Sequence, residues 1–576
     1  MAVTSPTATN TGSPDGFRVW QRLLRGYGPL AVFAVLLLLM SLLVPTTTPD
    51  DLSAGAGFNS DDDAQLGAGD GATGATRPGS PGAAGAGSTP GGPGTPGAEA
   101  AGDGSQTGGG NVAAAGGAVG CADRDRQVPG DPYSPPCFGF EGSNGGATHT
   151  GVSDTKIRAS FRVLDERGFQ QTLAELAGAS LVDTPQTVRN TVSAFADYFN
   201  ERFQFYGRDI EIVFYEGVGS NTSELVGKGR DLAEADAESV GGLDAFADLS
   251  STSEPYANAL CRRGVLTFGD PYLSRKWHDD RGPCAWSLAV NGTEVAEFAA
   301  EFAAKRLAGG NADFAGGSIQ GKPRVISTLA PENPWYQESV VVARERFDQL
   351  TNGAPQGPNY QYVLDLGTLS NQAANLIPKM KADGVTTVIC GCDPIFPVFL
   401  SGVAARENYF PEFIIAGTAL TDADVVGQLW DQEFASHALG VSPLEAFVPP
   451  TSTIAYQAFK SVRPNEEPAF SVDLIYFQMY MFAIGLHMAG PNLNPQSFQA
   501  GMYDYPPQSG PVGLWDFGPG DHTSADDVRE IYWDRNATSG YNGRAGTYVG
   551  LDLNGDGRTD RHRRDELPGG PFPKPR

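Results

Sequence analysis

The chain has 576 residues, which is too many for a single hydrophobic core. It carries 67 acidic and 40 basic residues, so its formal net charge is -27. This excess of negative charge argues against nucleic acid and anionic membrane surfaces as partners, because both require basic patches.

One apolar stretch near the start, Leu30–Val44, has the hydrophobicity of a membrane segment. Arg18, Arg22 and Arg25 precede it and acidic residues follow it. Because basic residues stay on the cytoplasmic side, this pattern predicts a cytoplasmic tail at 1–29 and an extracytoplasmic remainder. We therefore predict a single-pass anchor in the cell membrane. The alternative is a cleaved signal peptide, which would give a secreted protein.

The next two segments lack the pattern of a folded domain. Residues 45–120 consist mostly of Gly, Ala, Pro, Ser and Thr without a strict triplet repeat, which is typical of a disordered linker. Residues 121–150 contain two cysteines and several prolines, and we interpret them as a transitional, Cys-stapled segment that leads into a globular head.

Apolar strands then alternate with amphipathic helices. Alternation of this kind requires crossover connections, and crossovers give parallel sheets that are covered on both faces. Ligands of such sheets bind beyond the carboxyl ends of the strands, so we expect the function to lie in the strand-to-helix loops. The predicted strands are Lys156–Leu164, Asp209–Glu216, Ala245–Leu249, a strand ending at Thr267–Phe268, Arg324–Leu329, Tyr360–Leu364, Thr386–Ile389 and Glu412–Ile415.

The helices have clear start signals and apolar faces. Val and Phe residues at helical spacing predict a helix over Thr187–Gln204, and Val472–Met488 is apolar nearly all round, which predicts a deeply buried helix. A capping residue stands before a proline at four helix starts. These starts are Thr184-Pro185, Asn333-Pro334, Asp393-Pro394 and Asn494-Pro495.

The strands fall into two groups of four, which indicates two similar lobes with returning segments. The predicted fold class is α/β, a two-lobed clamshell of parallel-sheet domains with several crossovers, preceded by the membrane segment and the linker. We place lobe 1 at 151–290, lobe 2 at 291–445, a return to lobe 1 at 446–512, and a return to lobe 2 with a polar tail at 513–576.

Several stretches together resemble a known family, the type I periplasmic solute-binding proteins of the branched-chain amino-acid binding class. The resemblance covers about Gly151–Trp533. It implies a non-enzymatic protein that captures a small polar metabolite, such as an amino acid, in the cleft between its lobes and delivers it to an ABC permease. The alternative is a sensor head of the same fold that signals through a partner. The matching stretches are Gly151–Ile157 (GVSDTKI), Phe195–Asn200 (FADYFN), Tyr206–Ile210 (YGRDI), Ala247–Thr252 and Asn333–Gln337.

The six cysteines permit disulfides in an exported chain, although sequence alone does not fix their pairing. The simplest pairs are local, Cys121 with Cys137 and Cys261 with Cys284, and the second pair resembles a disulfide of the family. Cys390 and Cys392 are either free thiols or a strained bridge.

Lobe 1 offers candidate groups for the anionic end of a ligand. Backbone N–H groups at a helix start, together with hydroxyls, bind anions, and Ser250, Ser251 and Thr252 stand between a strand and a helix. Simple N-capping is the alternative for these residues. By resemblance, the loop with Phe268 and Gly269 offers backbone groups to the ligand, and an ordinary turn is the alternative.

Lobe 2 offers candidates for an aromatic wall and for an acid that pairs with an ammonium group. Either Trp335 or Tyr336 could form the wall, and packing is the alternative. Asp393 and Asp422 both follow strands and are the acidic candidates, although Asp393 also has the position of a helix cap.

The C-terminal segment contains a candidate calcium loop and no other cofactor is expected. Its oxygens stand at loop positions 1, 3, 5 and 9, a glycine stands at position 6, and Arg563 replaces the usual Glu at position 12. This predicts a weak calcium site, and the alternative is a charged turn. The candidate set is Asp552, Asn554, Asp556, Arg558 and Asp560.

Other chemistry finds no support in the sequence. Gly316–Pro323 approaches a phosphate-binding loop, but Pro323 replaces the metal-binding hydroxyl, and a strand follows where a helix is required. The six histidines are scattered without zinc-binding spacing, and no G-x-S-x-G elbow is present. We therefore do not expect an enzyme.

Overall fold

A computed structural model describes residue 121 and residues 124–164, 183–269 and 272–574. The predicted membrane segment at Leu30–Val44 and the predicted linker at 45–120 lie outside these residues. Among the residues described, no helix combines the length and the apolar character needed to cross a bilayer.

The chain first builds most of lobe 1. The described residues of this part form five helices and five strands. The strands are β1 (Lys156–Val163), β2 (Asp209–Glu216), β3 (Ala247–Asp248), β4 (Leu266–Phe268) and β5 (Ala285–Trp286). The helices are α1 (Pro185–Arg202), α2 (Asn221–Leu225), α3 (Arg230–Gly242), α4 (Glu254–Cys261) and α5 (Arg275–Asp279).

The chain then crosses into lobe 2. The helices there are α6 (Gly292–Phe302) with a π-helical turn at Ala303–Leu307, α7 (Pro334–Thr351), α8 (Leu369–Ala382), α9 (Phe396–Arg406), α10 (Asp424–Gly427) and α11 (Gln432–Ala435). The strands are β6 (Gly316–Gly317), β7 (Ile326–Pro331), β8 (Asn359–Tyr362), β9 (Thr387–Cys390), β10 (Tyr409–Phe410), β11 (Glu412–Ile415) and β12 (Ala438–Ser442).

Two returns complete the fold. The chain re-enters lobe 1 with a 3-10 turn (Pro450–Ser452), α12 (Ile454–Val462), α13 (Val472–Met488), α14 (Pro495–Asp504), β13 (Gln508–Gly510) and β14 (Gly513–Trp515). It ends in lobe 2 with β15 (Asp527–Thr538), β16 (Ala545–Gly550) and β17 (Arg561–Arg563).

Each lobe has its own sheet. The sheet of lobe 1 has the order β2-β1-β3-β4-β5, and all its pairs are parallel. The sheet of lobe 2 has the order β16-β15-β12-β11-β9-β7-β8, with β17 beside β15. Its strands β7, β8, β9, β11 and β12 are parallel, whereas β15 runs antiparallel to β12, β16 and β17. The predicted α/β fold with two lobes and parallel sheets is confirmed.

Short β-like patterns at Gly513–Phe517 and Glu530–Trp533 correspond to β14 and β15. The strands that were not predicted from the sequence are β5, β6, β10, β12, β13, β16 and β17. Strand β5 has only two residues, which is too short for an alternating pattern. Strand β12 contains Gly440, and glycine weakens a strand pattern. The structure explains this glycine, because a Cβ at Gly440 would collide with the backbone of Ile415 in the neighbouring strand.

The core of lobe 1 forms around α13, which is buried nearly all round, as its composition predicts. Aromatic side chains of α1 pack on it, and the ring of Phe199 stacks on that of Tyr476 at a centroid distance of 5.7 Å. The segment before β1 belongs to the same core, since Tyr133 is fully buried and its ring stacks on Trp515 at 4.4 Å.

All the described cysteines form disulfides. Cys121 bonds to Cys137, and Cys261 bonds to Cys284, which are the local pairs considered from the sequence. Cys390 bonds to Cys392, so that pair is a bridge and not two free thiols.

A buried ionic network fixes the loops at the carboxyl end of the lobe 1 sheet. The guanidinium of Arg162, near the end of β1, donates to both carboxylate oxygens of Glu224 at 2.9 and 3.0 Å and to Asp236 at 3.2 Å. It also donates to Asn221 at 2.9 Å and lies 3.8 Å from the ring centroid of Tyr256. The Arg162, Glu224 and Asp236 side chains are at most 2% exposed. One cation therefore ties the loops after β1 and β2 to α3 and α4.

We predict that Arg162→Ala lowers the free energy of unfolding by about 3–5 kcal/mol, because it leaves two buried carboxylates without a counter-charge. The matched control is Lys156→Ala at the start of the same strand. The Lys156 side chain is 54% exposed, and its ammonium pairs with Glu211. That control should cost about 0–1 kcal/mol. Chemical denaturation measures both, and equal losses would contradict the role of the network.

Candidate ligand-binding site

The two lobes are joined by three crossings of the chain. We call 287–291 the first crossing, 443–453 the second and 516–526 the third. The carboxyl ends of the parallel strands in both lobes carry loops, and loops from the two lobes contact each other beside these crossings. The arrangement matches the rule that ligands bind beyond the strand ends of open α/β sheets.

Several hydrogen bonds connect the opposite lobes within the described residues, and two of them involve Tyr272 and Asn333. Tyr272 follows β4 in lobe 1, and its hydroxyl accepts from the backbone N–H of Ala419, which follows β11 in lobe 2, at 2.6 Å. Asn333 follows β7 in lobe 2, and its side-chain amide donates to the carbonyl of Leu225 in lobe 1 at 2.7 Å. Asn333 precedes α7 but makes no side-chain cap for it, so this side chain serves the contact between lobes.

A cavity of about 240 Å³ lies between the lobes. Lobe 1 lines it with residues of α3, α4, α5 and the loop before α5. Lobe 2 lines it with residues at the start of α7. Indole rings therefore stand on both sides of it, and two glutamates and one arginine supply its charge. The lining residues are Arg230, Glu254, Leu273, Ser274, Trp277, Pro334, Trp335 and Glu338.

The two aromatic candidates of lobe 2 occupy different surroundings. Trp335 lines the cavity and is half-buried. Tyr336 packs against the apolar core of lobe 2, and burial, with the nearby Tyr272 and Asp393, raises the pKa of its hydroxyl. Of the two, Trp335 has the position of an aromatic wall.

The serine and threonine candidates of lobe 1 bond mainly within their own lobe. The Ser250 hydroxyl donates to Asp248 at 2.7 Å and accepts from the Arg162 N–H at 2.7 Å. The Ser251 hydroxyl is fully buried and bonds to that of Thr267. Thr252 is half-buried and donates to Asn221 at 3.0 Å.

No side chain caps the start of α4 by a hydrogen bond within the described residues. Ser253 holds the cap position, but its hydroxyl donates to Glu224 instead. Simple N-capping, the alternative considered for Ser250, Ser251 and Thr252, finds no support at the cap position, which Ser253 holds. Glu254, the first residue of α4, lines the cavity.

The loop after β4 packs closely on its neighbours. Gly269 has a φ of 111°, and a Cβ there would stand 2.8 Å from the carbonyl of Ser251, which explains the glycine. Its N–H donates to Trp286 at 3.2 Å, and Phe268 is fully buried with its carbonyl accepting from Gln478 at 3.3 Å. These backbone groups support the loop that carries Tyr272.

Asp393 has the contacts of a helix cap. One carboxylate oxygen accepts from the N–H groups of Ile395 and Phe396 at 2.8 and 3.0 Å. The other accepts from the Tyr362 hydroxyl at 2.6 Å. Burial raises the pKa of Asp393, and these bonds partly offset the increase by favouring the charged form.

Asp422 has one free oxygen. Its Oδ2 accepts from Ser442 at 2.6 Å, whereas Oδ1 is buried without a hydrogen-bond partner among the described residues. Burial raises the pKa of this carboxyl, and the positive charge of Arg529 opposes the increase. Of the two acidic candidates, Asp422 is therefore the one with capacity for another hydrogen bond.

A family model described as periplasmic binding protein matches residues 174–538, which is more than half of the chain. The chain belongs to the periplasmic binding protein family.

Solved structures similar to this binding protein cover most of its folded part at low identity. A leucine-, isoleucine-, valine-, threonine- and alanine-binding protein from Brucella ovis is 14% identical, over 72% of this chain and 96% of that chain, with a TM-score of 0.48. An R. palustris solute-binding protein in complex with 4-hydroxybenzoate is 11% identical, over 69% and 96%, with a TM-score of 0.49. A fatty acid ABC transporter substrate-binding protein from Thermomonospora curvata is 12% identical, over 69% and 92%, with a TM-score of 0.49. A search of curated proteins finds no match.

Sequence reasoning missed most residues that line the cavity of this binding protein. Arg230, Glu254 and Glu338 lie on helices, where charged residues normally indicate a solvated face. Trp277 and Tyr272 follow the predicted strand that ends at Phe268, so position after a strand end was the available signal.

The C-terminal candidate loop of the binding protein is exposed and lies between β16 and β17. The carboxylate of Asp552 accepts from the N–H groups of Gly555 and Gly557 at 2.6 and 2.8 Å. Asp560 accepts from the N–H of Leu553 at 2.5 Å and from the side chain of Asn554. The acidic side chains thus turn inward on their own loop.

We predict that the double variant Tyr272→Phe with Asn333→Ala loosens the contact between lobes by about 1–3 kcal/mol, since each lost hydrogen bond contributes about 0.5–1.5 kcal/mol. Hydrogen exchange of the peptide around Ala419 should become faster. Tyr206→Phe is the control, because it removes a tyrosine hydrogen bond to His487 inside lobe 1. Unchanged exchange at Ala419 in the double variant would show that these bonds do not hold the lobes together.

Proposed function

We propose that this protein is an extracytoplasmic solute-binding protein that captures a small polar metabolite between its lobes and delivers it to an ABC permease. The observation that carries the proposal is the cavity between the lobes, which has indole rings on both sides and charged groups at its walls. Family membership supports a binding role. We further propose that Leu30–Val44 anchors the chain in the cell membrane with the head outside.

The charges at the cavity favour a ligand that carries both signs, such as an amino acid. Arg230 pairs with Glu254 at 3.3 Å but its side chain is 60% exposed, so the guanidinium has donors available for a carboxylate. Glu254 and Glu338 offer acceptors for an ammonium group. Backbone N–H groups at the uncapped start of α4 add a partial positive charge for the anionic end.

Two tryptophans define the apolar part of the proposed ligand pocket. Trp335 and Trp277 line the cavity from opposite lobes. The indole N–H of Trp277 is buried and has no hydrogen-bond partner among the described residues. The volume of about 240 Å³ suits a ligand of amino-acid size.

We predict that a thermal-shift screen of amino acids, aromatic acids, fatty acids and sugars gives a stabilising ligand, and that Trp335→Ala abolishes the shift. A ligand at 100 times its dissociation constant should stabilise the parent by about 2.7 kcal/mol. The unliganded melting temperature of the variant should change little, because Trp335 is only half-buried.

The matched control for this screen is Val341→Ala, on the same helix α7, where the side chain is 54% exposed and away from the cavity. It should keep the full ligand shift. A ligand that stabilises Trp335→Ala as strongly as the parent would place the binding site elsewhere and contradict the proposal.

We also propose that the C-terminal loop binds calcium weakly through Asp552, Asn554, Asp556, the backbone at Arg558, and Asp560. The alternating oxygens and the inward carboxylates of Asp552 and Asp560 support this. Arg563 in place of an acidic residue at position 12 predicts low affinity.

We predict that calcium slows hydrogen exchange in the peptide 551–561 and that Asp552→Asn with Asp556→Asn removes this protection, because it removes two of the charged ligands. Arg558→Ala is the control, since its side chain is not a ligand. If millimolar calcium does not change the rate of hydrogen exchange in this peptide, the proposed calcium site is contradicted.

A further inference from the structure

Three carboxylates from two crossings converge beside the junction of the lobes. Glu294 lies in the first turn of α6, directly after the first crossing, and Asp521 and Asp526 belong to the third crossing. One oxygen from each of the three lies within 4.8 Å of the oxygens of the other two. This cluster is not evident from the sequence, because more than 220 positions separate Glu294 from the two aspartates.

The crossings are already in contact where the cluster forms. The backbones of Ser287 and Thr523 pair in an isolated parallel β-bridge, and the side-chain amide of Asn291 donates to the Thr523 hydroxyl at 3.0 Å. The Asp521 carboxylate accepts from the Thr523 N–H at 3.2 Å, and Asp526 accepts from the Asp516 N–H at 2.8 Å. The two aspartate carboxylates are therefore held in place by the backbone of the third crossing.

Glu294 has an acceptor that the protein leaves unused. Its side chain is about nine-tenths buried, since the residue is 7% exposed. Its Oε1 accepts from Arg275 at 3.0 Å, whereas Oε2 is buried without a hydrogen-bond partner among the described residues. A buried carboxylate oxygen without a partner costs free energy, and a cation is the partner that relieves it most.

Neighbouring cations do not balance the negative charge. Arg275 and Arg564 both reach Glu294, at 3.0 and 3.6 Å, but each also pairs with Glu297. Two guanidinium groups thus face four carboxylates.

We propose that Glu294, Asp521 and Asp526 form a calcium site that links the first and third crossings. The three oxygens lie within 4.8 Å of one another, which is close enough for one ion to bind all of them. Calcium accepts about six to eight oxygen ligands in flexible geometry, which suits carboxylates from two separate segments, whereas magnesium keeps several waters and usually takes only one or two carboxylates. The ion would hold the two crossings, and with them the two lobes, in this arrangement.

Calorimetric titration of calcium into the chelator-treated full chain tests this site. The chain should carry Asp552→Asn and Asp556→Asn, so that the C-terminal loop does not contribute. We expect one calcium per chain in this background and at least a tenfold weaker affinity after Glu294→Gln with Asp526→Asn. Glu297→Gln is the matched control, because Glu297 shares Arg275 and Arg564 but lies outside the three-carboxylate cluster, and it should keep the affinity.

The melting temperature in chelator provides a second readout. Removing repelling charges should leave the Glu294→Gln with Asp526→Asn variant at least as stable as the background without calcium, whereas calcium should raise only the background. Absence of calcium binding in the background, or unchanged binding in the variant, would overturn the site. A lower melting temperature for the variant than for the background in chelator would also overturn the site. It would show that shared protons and protein contacts alone stabilise the three carboxylates.

Discussion

Parallel strands end at one edge of a sheet, and this constraint determines where the protein can bind a solute. In both lobes the loops after the strands lie at that edge, and the lobes meet there. The loops of lobe 1 need internal support, because strands β3 and β4 have only two and three residues. The buried guanidinium of Arg162 supplies it by holding Glu224 and Asp236 together.

The support for the cleft and the surface of the cleft are made by different residues. Ser250, Ser251 and Asp393 use their polar atoms within one lobe and give the loops their shape. The cavity is lined instead by side chains of helices and of the loop after β4, including Trp277 and Trp335.

The fold was predictable because strand and helix periods alternate clearly along the chain, and because helices such as α13 show their burial in their composition. The strands that escaped prediction are short or contain glycine. Strand β17 has only three residues, and β12 contains Gly440. The candidate site was less predictable. Trp335, an aromatic candidate from the sequence, lines the cavity, whereas Arg230 and Glu338 reach it only through the packing of one lobe on the other.

The central claim is that a solute binds between the lobes and contacts tryptophans from both. A crystal structure of the protein with the ligand that stabilises it most tests this claim directly. We expect the ligand to lie in the cavity between Trp277 and Trp335, with its charged groups near Arg230 and Glu338. A ligand bound on the outer face of a single lobe, with no contact to either tryptophan, would contradict it.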